Sequence, residues 1–580
     1  MSVATAMKPR WLRWPLDSRR AVLILVAGVV SVMAVIPLLF LLWNSFKNVG
    51  PGNLFDPSLS FTLKNFSEAF RDPLILTALG DTFLFAFGAV AVSMVFAVTI
   101  AFLVERTNCH FRNVAYGLMF VPLIMPGLLK AIAWILILSP RIGVLNQIWF
   151  SLGFQKPLVD AYTIPAMWWV EGLSLTPLAF LLLGAAFRAM DPSLEEAAAA
   201  SGGSKVRVFL RVTLPLAAPA FAGVALLQFV RVIDTFDVPL IMGQRQGIYV
   251  FATQIYLAVR QAVPPAYGEA FVLSMVLISF SIAGLVMYQR VLARSGKYAT
   301  ITGKGYRPRL IDLGRLRPLG GAFIMFFIFV SAILPFLVLL WASFLPYYQT
   351  FSREALSLFT TANYEKLFAR ADFLPSVKNT LILCTSVAVG AMMLGTLISW
   401  IVVRWRPKGY NLLDGLVFVP YAIPSIAVGF SYMILFLLFP NPIYGTIWIL
   451  ILAYLVSYLP IATRFTNAGL AQLKAELEEA AATSGASLFS VMRRIVVPLM
   501  LPSLVAGGLY IFLLAAKVTS IAAMLSTPKS MVMSYYILNL YQEGEFTVIG
   551  AFAVLMVVGL TIITIVSRRL AQRRSLASET

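Results

Sequence analysis

Twelve long apolar stretches divide the chain, and they constrain its fold more than any other feature. A helix crosses the hydrocarbon core of a bilayer with about 20 apolar residues, and each stretch reaches that length. Only 12% of the residues are charged, against roughly 25% in soluble domains. The sequence therefore predicts an all-α polytopic membrane protein. The stretches cover approximately residues 21–46, 78–104, 114–138, 161–187, 217–243, 268–289, 320–344, 376–403, 412–438, 442–463, 500–525 and 546–567.

The basic surplus of the chain follows the positive-inside pattern. The formal net charge is +20. Most Lys and Arg residues lie in loops of one face, above all before the first stretch, in the run from 290 to 317, and after the last stretch. Loops rich in Lys and Arg stay in the cytoplasm, so we expect both termini there. The lipid bilayer accounts for this charge, and no nucleic-acid partner is expected.

Residues able to carry catalysis or bind a metal are scarce. Cys109 and Cys384 are the two cysteines and His110 is the single histidine, which provides no disulfide framework or zinc-binding spacing. The phosphate-binding loop G-x-x-x-x-G-K-[ST] does not occur, because the ITGKGY segment around Lys304 has another spacing. The sequence therefore predicts no catalytic residue and no ATP hydrolysis by this chain, and it leaves any metal site undefined.

The chain is an internal duplication. LLWNSF at 41–46 returns 298 positions later as LLWASF, and FVPLIMP at 120–126 returns at the same shift as FVPYAIP. Further along the shift becomes 283, because the first copy has 15 extra residues around 142–162. Each copy carries six stretches, an even number, so the copies enter the membrane in the same orientation. Such parallel repeats are related by a pseudo-two-fold axis along the membrane normal.

This duplication also predicts the domain organisation. We expect a first domain at 1–290, a polar cytoplasmic linker at 291–318 and a second domain at 319–580. Each domain would supply half of a pathway along the pseudo-two-fold axis.

One polar segment recurs after the fourth stretch of each copy. It reads LEEAAAASGGSKVRVFLRVTLPL at 194–216 and LEEAAATSGASLFSVMRRIVVPL at 477–499. Ser193 and Glu196 match a capping box, alanine favours helix, and the following glycine can end a helix in the left-handed conformation. A second short helix then ends at Pro215. Any surface helix can begin with acidic residues and end with glycine, but two copies at identical spacing on the cytoplasmic face favour a shared function.

Both segments resemble the EAA loop of permease subunits in bacterial type I ABC importers. The family pattern is EAA, three residues, Gly, nine residues, Ile, one residue and Leu-Pro, and Val212 and Val497 are conservative departures from it. The resemblance implies that the loops 191–215 and 474–498 form coupling helices that dock onto ATPase subunits. The matching positions are Glu196, Ala197, Ala198, Gly202, Leu214 and Pro215 in the first copy, and Glu479, Ala480, Ala481, Gly485, Ile495 and Pro498 in the second.

The resemblance also implies the partners and the cargo. Glu196 and Glu479 would contact two separate ATP-binding cassette subunits, which hold ATP and Mg, while this chain binds no cofactor. A periplasmic solute-binding protein would deliver the solute to this multi-pass protein of the bacterial inner membrane. The fused layout and the basic linker are similar to ferric-iron-type permeases, with thiamine, phosphonate, polyamine or an organic acid as alternatives. A secondary transporter can also have two parallel halves, but it would have no use for paired docking loops.

Charged side chains inside the apolar stretches are the candidates for a solute pathway, because they are costly there. They are Asp234, Asp237, Glu171 and Lys517, which occupies the position equivalent to Asp234. Two interpretations of Asp234 stay open: it faces Lys517 across the axis as a gate or path, or Arg231 neutralises it within its own helix. Glu171 can alternatively lie at a membrane interface.

Two proline pairs and the two aspartates complete the pathway prediction. Pro122 with Pro126 recurs as Pro420 with Pro424, and we expect packing kinks there rather than cavity-lining carbonyls. Carboxylates are hard oxygen ligands, which ferric ion favours, so the aspartates of the fifth stretch agree with an iron cargo.

Overall fold

The computed structural model describes residues 16–50, 54, 56, 59–190, 193–295, 310–439 and 442–577. Within these ranges the regular structure is helical, apart from isolated β-bridges that join Lys47 to Phe61 and Thr107 to Ile311. Nine of the described helices are long and apolar enough to cross a membrane, and three bent pairs raise that number to twelve if each pair is one span. This agrees with the twelve stretches of the sequence.

The α-helices of the two halves follow the same order along the chain. In the first half they are α1 Leu16–Ala34, α2 Ile36–Ser45, α3 Lys64–Arg71, α4 Pro73–Arg106, α5 Arg112–Leu118, α6 Gly127–Leu138, α7 Val144–Ser151, α8 Ile164–Ala189, α9 Ser193–Ala200, α10 Lys205–Val208, α11 Leu214–Ile233, α12 Phe251–Tyr256 and α13 Tyr267–Ser295. In the second half they are α14 Arg317–Ile328, α15 Leu334–Ser343, α16 Arg353–Ser357, α17 Ala362–Ala369, α18 Phe373–Trp400, α19 Tyr410–Phe418, α20 Ser425–Leu438, α21 Ile447–Gln472, α22 Ala475–Thr483, α23 Leu488–Val491, α24 Val497–Ala515, α25 Ser520–Leu525, α26 Met533–Gln542 and α27 Phe546–Ala577.

The duplication extends to individual polar contacts. Asn65 Nδ2 donates to the carbonyls of Ser45 (3.2 Å) and Lys47 (2.6 Å). The equivalent Asn363 Nδ2 donates to the carbonyls 298 positions further on, at 343 (3.0 Å) and 345 (2.7 Å). The extra residues of the first copy form α7, which has no equivalent in the described part of the second half. The two halves are therefore parallel structural repeats.

The proline pairs break two spans almost at right angles. Arg112–Leu123 meets Gly127–Leu138 at 90°, and Tyr410–Ala422 meets Ser425–Leu438 at 102°. The expectation of simple packing kinks is therefore wrong. Each pair places two prolines four residues apart, and each proline removes a helical hydrogen bond and disfavours the helical conformation of the residue before it. We call these two elements the broken spans.

The two halves are interlocked at the broken spans. The second part of each broken span packs against the first span of the other half, α6 against α15 and α20 against α2. Tyr348 Oη donates to the carbonyl of Leu136 (2.7 Å), and Tyr432 Oη donates to the carbonyl of Met33 (2.7 Å). Because each broken span packs against the opposite half, the polar residues of the fifth and eleventh stretches also lie close to that half.

Candidate functional site

The two EAA-like loops have the same backbone geometry. In the first loop α9 is followed by Gly202 at φ +84°, and in the second α22 is followed by Gly485 at φ +83°. Both glycines occupy the left-handed region, which a residue with a Cβ atom enters only at a cost. A short helix follows in each loop, α10 or α23. The sequence pattern thus produces a helix, a glycine bend and a second helix in each half.

The second helix of each loop does not end at the proline, as the sequence had suggested. A π-helical turn at Phe209–Thr213 leads from α10 into α11, and the turn Met492–Val496 leads from α23 into α24. Pro215 lies in the first turn of α11. The proline has no N–H group and so removes one helical hydrogen bond, and the wider π-helical turn directly precedes this position. The loop is consequently continuous with a membrane-spanning helix.

The structure describes the side chain of the EAA glutamate in the second loop but not in the first. Glu479 is exposed, as are Ala480, Ala197 and Pro498. The side chains of Ser193 and Glu196 lie outside the described residues, and the capping box stays a prediction.

The glutamate before each EAA motif anchors its loop. Arg106, which is 3% exposed at the end of α4, contacts Glu195 with Nη2 and Oε1 2.5 Å apart. Thr213 Oγ1 donates to the same oxygen (2.8 Å). In the second half Arg404 Nε contacts Glu478 Oε1 at 3.0 Å, and Glu478 is 4% exposed. Both loops are therefore tied by a shielded ion pair to the end of the second span.

The sequence interpretation missed these anchoring glutamates because it followed the family pattern, which begins one residue later. A signal was present, since Arg106 recurs as Arg404 at the shift of 298 and both loops read Leu-Glu-Glu. The pairs explain why two consecutive glutamates stand there. The first holds the loop, and in the second copy the next one, Glu479, is exposed.

The surface around each loop is apolar and basic. Phe489 is 73% exposed and Leu477 is 49% exposed in the second loop, and Leu210 is 53% exposed in the first. Arg493 and Arg494 are exposed beside them. Apolar surface rimmed by charge is typical of an interaction site for another protein.

The charged pathway candidates lie where the membrane helices end. Asp234 directly follows α11, and its carboxylate accepts from the Ser425 N–H (2.7 Å) and from Ser425 Oγ (2.9 Å). Ser425 is the first residue of α20, so the aspartate compensates an unpaired N–H and the positive end of that helix. Lys517 follows α24 and donates to the carbonyl of Leu123 at the break of the other broken span.

Asp234 and Lys517 therefore do not pair with each other. In the described ranges no ion pair within 4.0 Å joins them, and none joins Arg231 to Asp234. Each side chain instead binds a backbone group that a proline bend leaves without a helical partner. Asp234 and Lys517 occupy equivalent positions in the two halves, but the aspartate accepts a hydrogen bond and the lysine donates one. Both contacts join the two halves.

Asp237 and Glu171 belong to the same region. A Cβ atom placed on Gly127 would lie 2.8 Å from Asp237 Oδ2, so this carboxylate rests against the bend of the first broken span. Glu171 is 9% exposed and accepts from Thr235 Oγ1 (3.1 Å). Its location in the membrane core or at an interface stays a prediction. Lys130, 5% exposed, donates to Ser174 Oγ (3.3 Å) and interacts electrostatically with Glu171, and the sequence interpretation did not single it out.

A cavity of about 110 Å³ lies between the halves next to these residues. The first half contributes Arg231 and Asp234, and the second contributes the broken span from Pro420 to Ser425 together with Tyr458. The second proline pair thus lines a cavity, which had been the less favoured interpretation. Within the part of the chain that is described, no group of three or more His, Cys, Asp or Glu side chains is arranged to hold a metal ion.

The sequence of the chain matches a known family in both halves. The family profile of binding-protein-dependent transport system inner membrane components matches residues 97–295 and 387–576. Each match contains one EAA-like loop and one half of the cavity wall. Each also contains one of the two charged residues, Asp234 or Lys517, that contact the opposite half.

Several curated proteins and solved structures resemble the chain. The ferric transport system permease protein FbpB of Actinobacillus pleuropneumoniae is 29% identical over 80% of this chain and 67% of its own length. The Fe(3+)-transport system permease protein FbpB 2 of Haemophilus influenzae is 23% identical over 79% of this chain and 82% of its own. The spermidine/putrescine permease PotC of Escherichia coli is 26% identical over 37% of this chain and 81% of its own. A chain of a bacterial ABC transporter that imports alginate aligns with a TM-score of 0.36 and 17% identity, over 43% of this chain and 92% of that chain.

Proposed function

Because the chain belongs to the family of binding-protein-dependent transport system inner membrane components, we propose that it is the fused permease of an ATP-driven importer of ferric iron. The identity of the cargo is inferred from two relatives that are named as ferric permeases. They align over 80% and 79% of the chain and so include both halves. The spermidine/putrescine relative aligns over 37%.

We propose that two ATP-binding cassette subunits dock onto the loops 191–215 and 474–498. Glu196 and Glu479 contact them, and the ATPase subunits hold ATP and Mg. The equal geometry of the two loops supports two equal docking sites, and the exposed Glu479 and Phe489 provide polar and apolar contacts. A periplasmic binding protein delivers the solute, and both termini lie in the cytoplasm.

The domain division follows from the same proposal. Domains 1–290 and 319–580 each supply one half of the path, and segment 291–318 joins them at the cytoplasmic face. The end of this linker contacts the first half, since Asn108 Nδ2 donates to Asp312 Oδ1 (2.6 Å) and the Leu313 N–H donates to Asn108 Oδ1 (3.0 Å).

The anchored loops suggest how ATP binding reaches the membrane. Closure of the ATPase dimer moves the two loops together, and the pairs Arg106–Glu195 and Arg404–Glu478 transmit this movement to the second span of each half. The halves then rock between inward-facing and outward-facing states, a rigid-body transition between two discrete arrangements. Asp234 and Lys517 hold the broken spans of the opposite halves in the present state, and with Asp237 and Glu171 they line the solute path.

Uptake by the reconstituted complex tests the proposal. Proteoliposomes that contain the permease, its ATPase subunits and its binding protein should accumulate ferric ion only with ATP inside the compartment that the ATPases face. Glu196→Lys with Glu479→Lys should abolish ATPase co-purification and uptake. Glu476→Lys is the matched control, because Glu476 is exposed on the same helix but lies outside the motif.

The outcomes separate the alternatives. Uptake of a polyamine, thiamine, a phosphonate or an organic acid without uptake of iron would overturn the cargo and leave the importer class standing. Uptake driven by an ion gradient without ATPase subunits would indicate a secondary transporter. Intact co-purification of the double variant would contradict the docking assignment.

A further inference from the structure

Arg231 is a charged side chain that makes no close ion pair, deep between the two halves. It lies in the last turn of α11, about 26 Å along that helix from Leu214 at 1.5 Å per residue. Its side chain is exposed to the cavity that the two halves enclose. In the described ranges no Asp or Glu oxygen lies within 4.0 Å of its guanidinium. Asp234 lines the same cavity and interacts with the guanidinium at longer range, so the permanent positive charge stays accessible to an anion that enters the cavity.

The nearest carboxylate in sequence is already bound elsewhere. Asp234 accepts a hydrogen bond from the Ser425 N–H, and the single hydroxyl proton of Ser425 is shared between its two carboxylate oxygens, each 2.9 Å from Oγ. Ser425 Oγ also contacts Ser520 Oγ at 2.6 Å. These contacts hold the aspartate at the start of α20. A guanidinium stays protonated in any protein environment, and a charge at membrane depth is costly without compensation, so an anion at contact distance would compensate Arg231 more fully than Asp234 does from longer range.

The remaining polar lining of the cavity suits an anion rich in oxygen. Three tyrosine hydroxyls line it together with Arg231, and hydroxyl and guanidinium donors are the groups that bind carboxylate and phosphate oxygens. A cavity of about 110 Å³ has room for a small oxyanion, since one water requires about 10–15 Å³ of such volume. The tyrosine hydroxyls are those of Tyr288, Tyr421 and Tyr458, whereas Ser281 Oγ and Ser457 Oγ donate to the carbonyls of Leu277 and Ala453.

The repeat provides an internal comparison that argues for a specific role of the arginine. At the shift of 283 the position of Arg231 corresponds to Leu514, which lines the same cavity from the second half. A leucine satisfies the fold at the equivalent position, so packing does not require an arginine. The charge is present in one half only, which is what a single central site would need.

We propose that the inter-half cavity binds a small oxyanion at Arg231, and that ferric ion crosses the membrane bound to an oxygen-donor anion of the carboxylate or phosphate class. The anion site stands on the cavity itself, and its link to iron rests on the proposed function. A bare trivalent cation would be repelled by Arg231, whereas an anion that ligates the ion presents oxygens to the guanidinium and lowers the net charge of the cargo. Hard oxygen donors are the ligands such an ion favours.

Anion binding by the full-length permease in lipid nanodiscs tests the site without iron. Phosphate and citrate should raise its melting temperature by mass action. Arg231→Leu, which copies the equivalent residue of the other half, should weaken binding at least tenfold. Arg231→Lys should retain part of it, and Arg141→Leu should bind like the wild type because Arg141 is exposed outside the cavity. Wild-type affinity in a folded Arg231→Leu protein would overturn the site, as would the absence of any anion-dependent stabilisation.

Dual-label uptake tests the link to iron. Proteoliposomes with the ATPase subunits and the binding protein receive radioactive iron together with carbon-labelled citrate or labelled phosphate. The expected result is accumulation of both labels in a fixed ratio, lost in Arg231→Leu and kept in Arg141→Leu. Iron uptake with no labelled anion would overturn co-transport. Absence of iron uptake in the wild type would overturn the proposed cargo, while the nanodisc measurement still decides the anion site.

Discussion

Removal of Arg404 should release the second coupling loop from the membrane helices. The guanidinium contacts Glu478 Oε1 (3.0 Å) and donates to the carbonyls of Leu470 (3.1 Å) and Leu473 (2.5 Å) at the end of α21. Arg404→Ala therefore leaves a carboxylate that is 4% exposed without its counter-ion. Breaking one side of a buried pair costs about 3–5 kcal/mol. We expect that cost to fall on the loop, because a nine-residue helix such as α22 has little stability of its own.

The expected destabilisation of the loop differs between variants. A loss of about 3 kcal/mol raises the detached fraction of α22 more than a hundredfold. Glu478→Gln should cost less, about 1–3 kcal/mol, because it removes the charge but keeps an acceptor for Arg404. Arg404→Met with Glu478→Leu should recover much of the loss, since well-packed apolar residues can replace a buried ion pair. Arg493→Ala is the control, because Arg493 is exposed in the turn after α23.

Hydrogen exchange of the permease in nanodiscs measures the detachment directly. Peptides from residues 475–491 should exchange much faster in Arg404→Ala than in the wild type, while peptides from α18 keep their protection. Stimulation of the ATPase by the loaded binding protein should fall in parallel. Unchanged exchange of 475–491 in Arg404→Ala would refute the anchoring role, and so would an apolar double variant that is as unprotected as the single one.

Three further substitutions test other parts of the site. Gly485→Val forces a branched residue into φ +83° and should destabilise the loop by about 1–2 kcal/mol, seen as faster hydrogen exchange, whereas Gly415→Ala meets nothing within 4 Å and should be neutral. Gly127→Ala places a Cβ atom 2.8 Å from Asp237 Oδ2. It should therefore displace that carboxylate and reduce uptake several-fold with little change in melting temperature. Normal uptake would show that Asp237 does not line the solute path. Ser425→Ala removes the hydroxyl donor to Asp234 and should weaken contact between the halves by about 1–3 kcal/mol, measured as a lower midpoint of thermal unfolding.

The repeated sequence was sufficient to predict the architecture and the loops. Both follow from local information that occurs twice: six apolar stretches per copy, and a glycine at the same distance after each Glu-Ala-Ala. The left-handed conformation of Gly202 and Gly485 follows in the same way. Duplication gives each local pattern an independent second test, which a single copy lacks.

The contacts between the halves could not be predicted from the same information. A proline pair indicates a break but not its angle, which depends on what the freed backbone groups find as partners. Asp234 finds the N–H of Ser425, 191 positions away, and Lys517 finds the carbonyl of Leu123, 394 positions away. The pairing of Glu195 with Arg106 also joins distant positions, although the recurrence of Arg106 as Arg404 and of Leu-Glu-Glu in both loops marked the residues involved. No spacing rule connects residues at such separations.

An exchange of the two central charges distinguishes the observed contacts from a simple ion pair across the axis. If Asp234 and Lys517 faced each other, the double variant Asp234→Lys with Lys517→Asp would keep their attraction. In the structure the aspartate accepts from an N–H at the start of α20, and the lysine donates to the carbonyl of Leu123.

The exchange would place an ammonium against the N–H of Ser425 and a carboxylate against the carbonyl of Leu123, and neither contact can form a hydrogen bond. We expect the exchanged protein to lose uptake and to melt at a lower temperature than either single variant. The control is Asp234→Asn, which keeps an acceptor for Ser425 and should retain most of the stability. Wild-type stability of the exchanged protein would show that the two charges act as a pair, and the broken spans would then have to be held by other contacts.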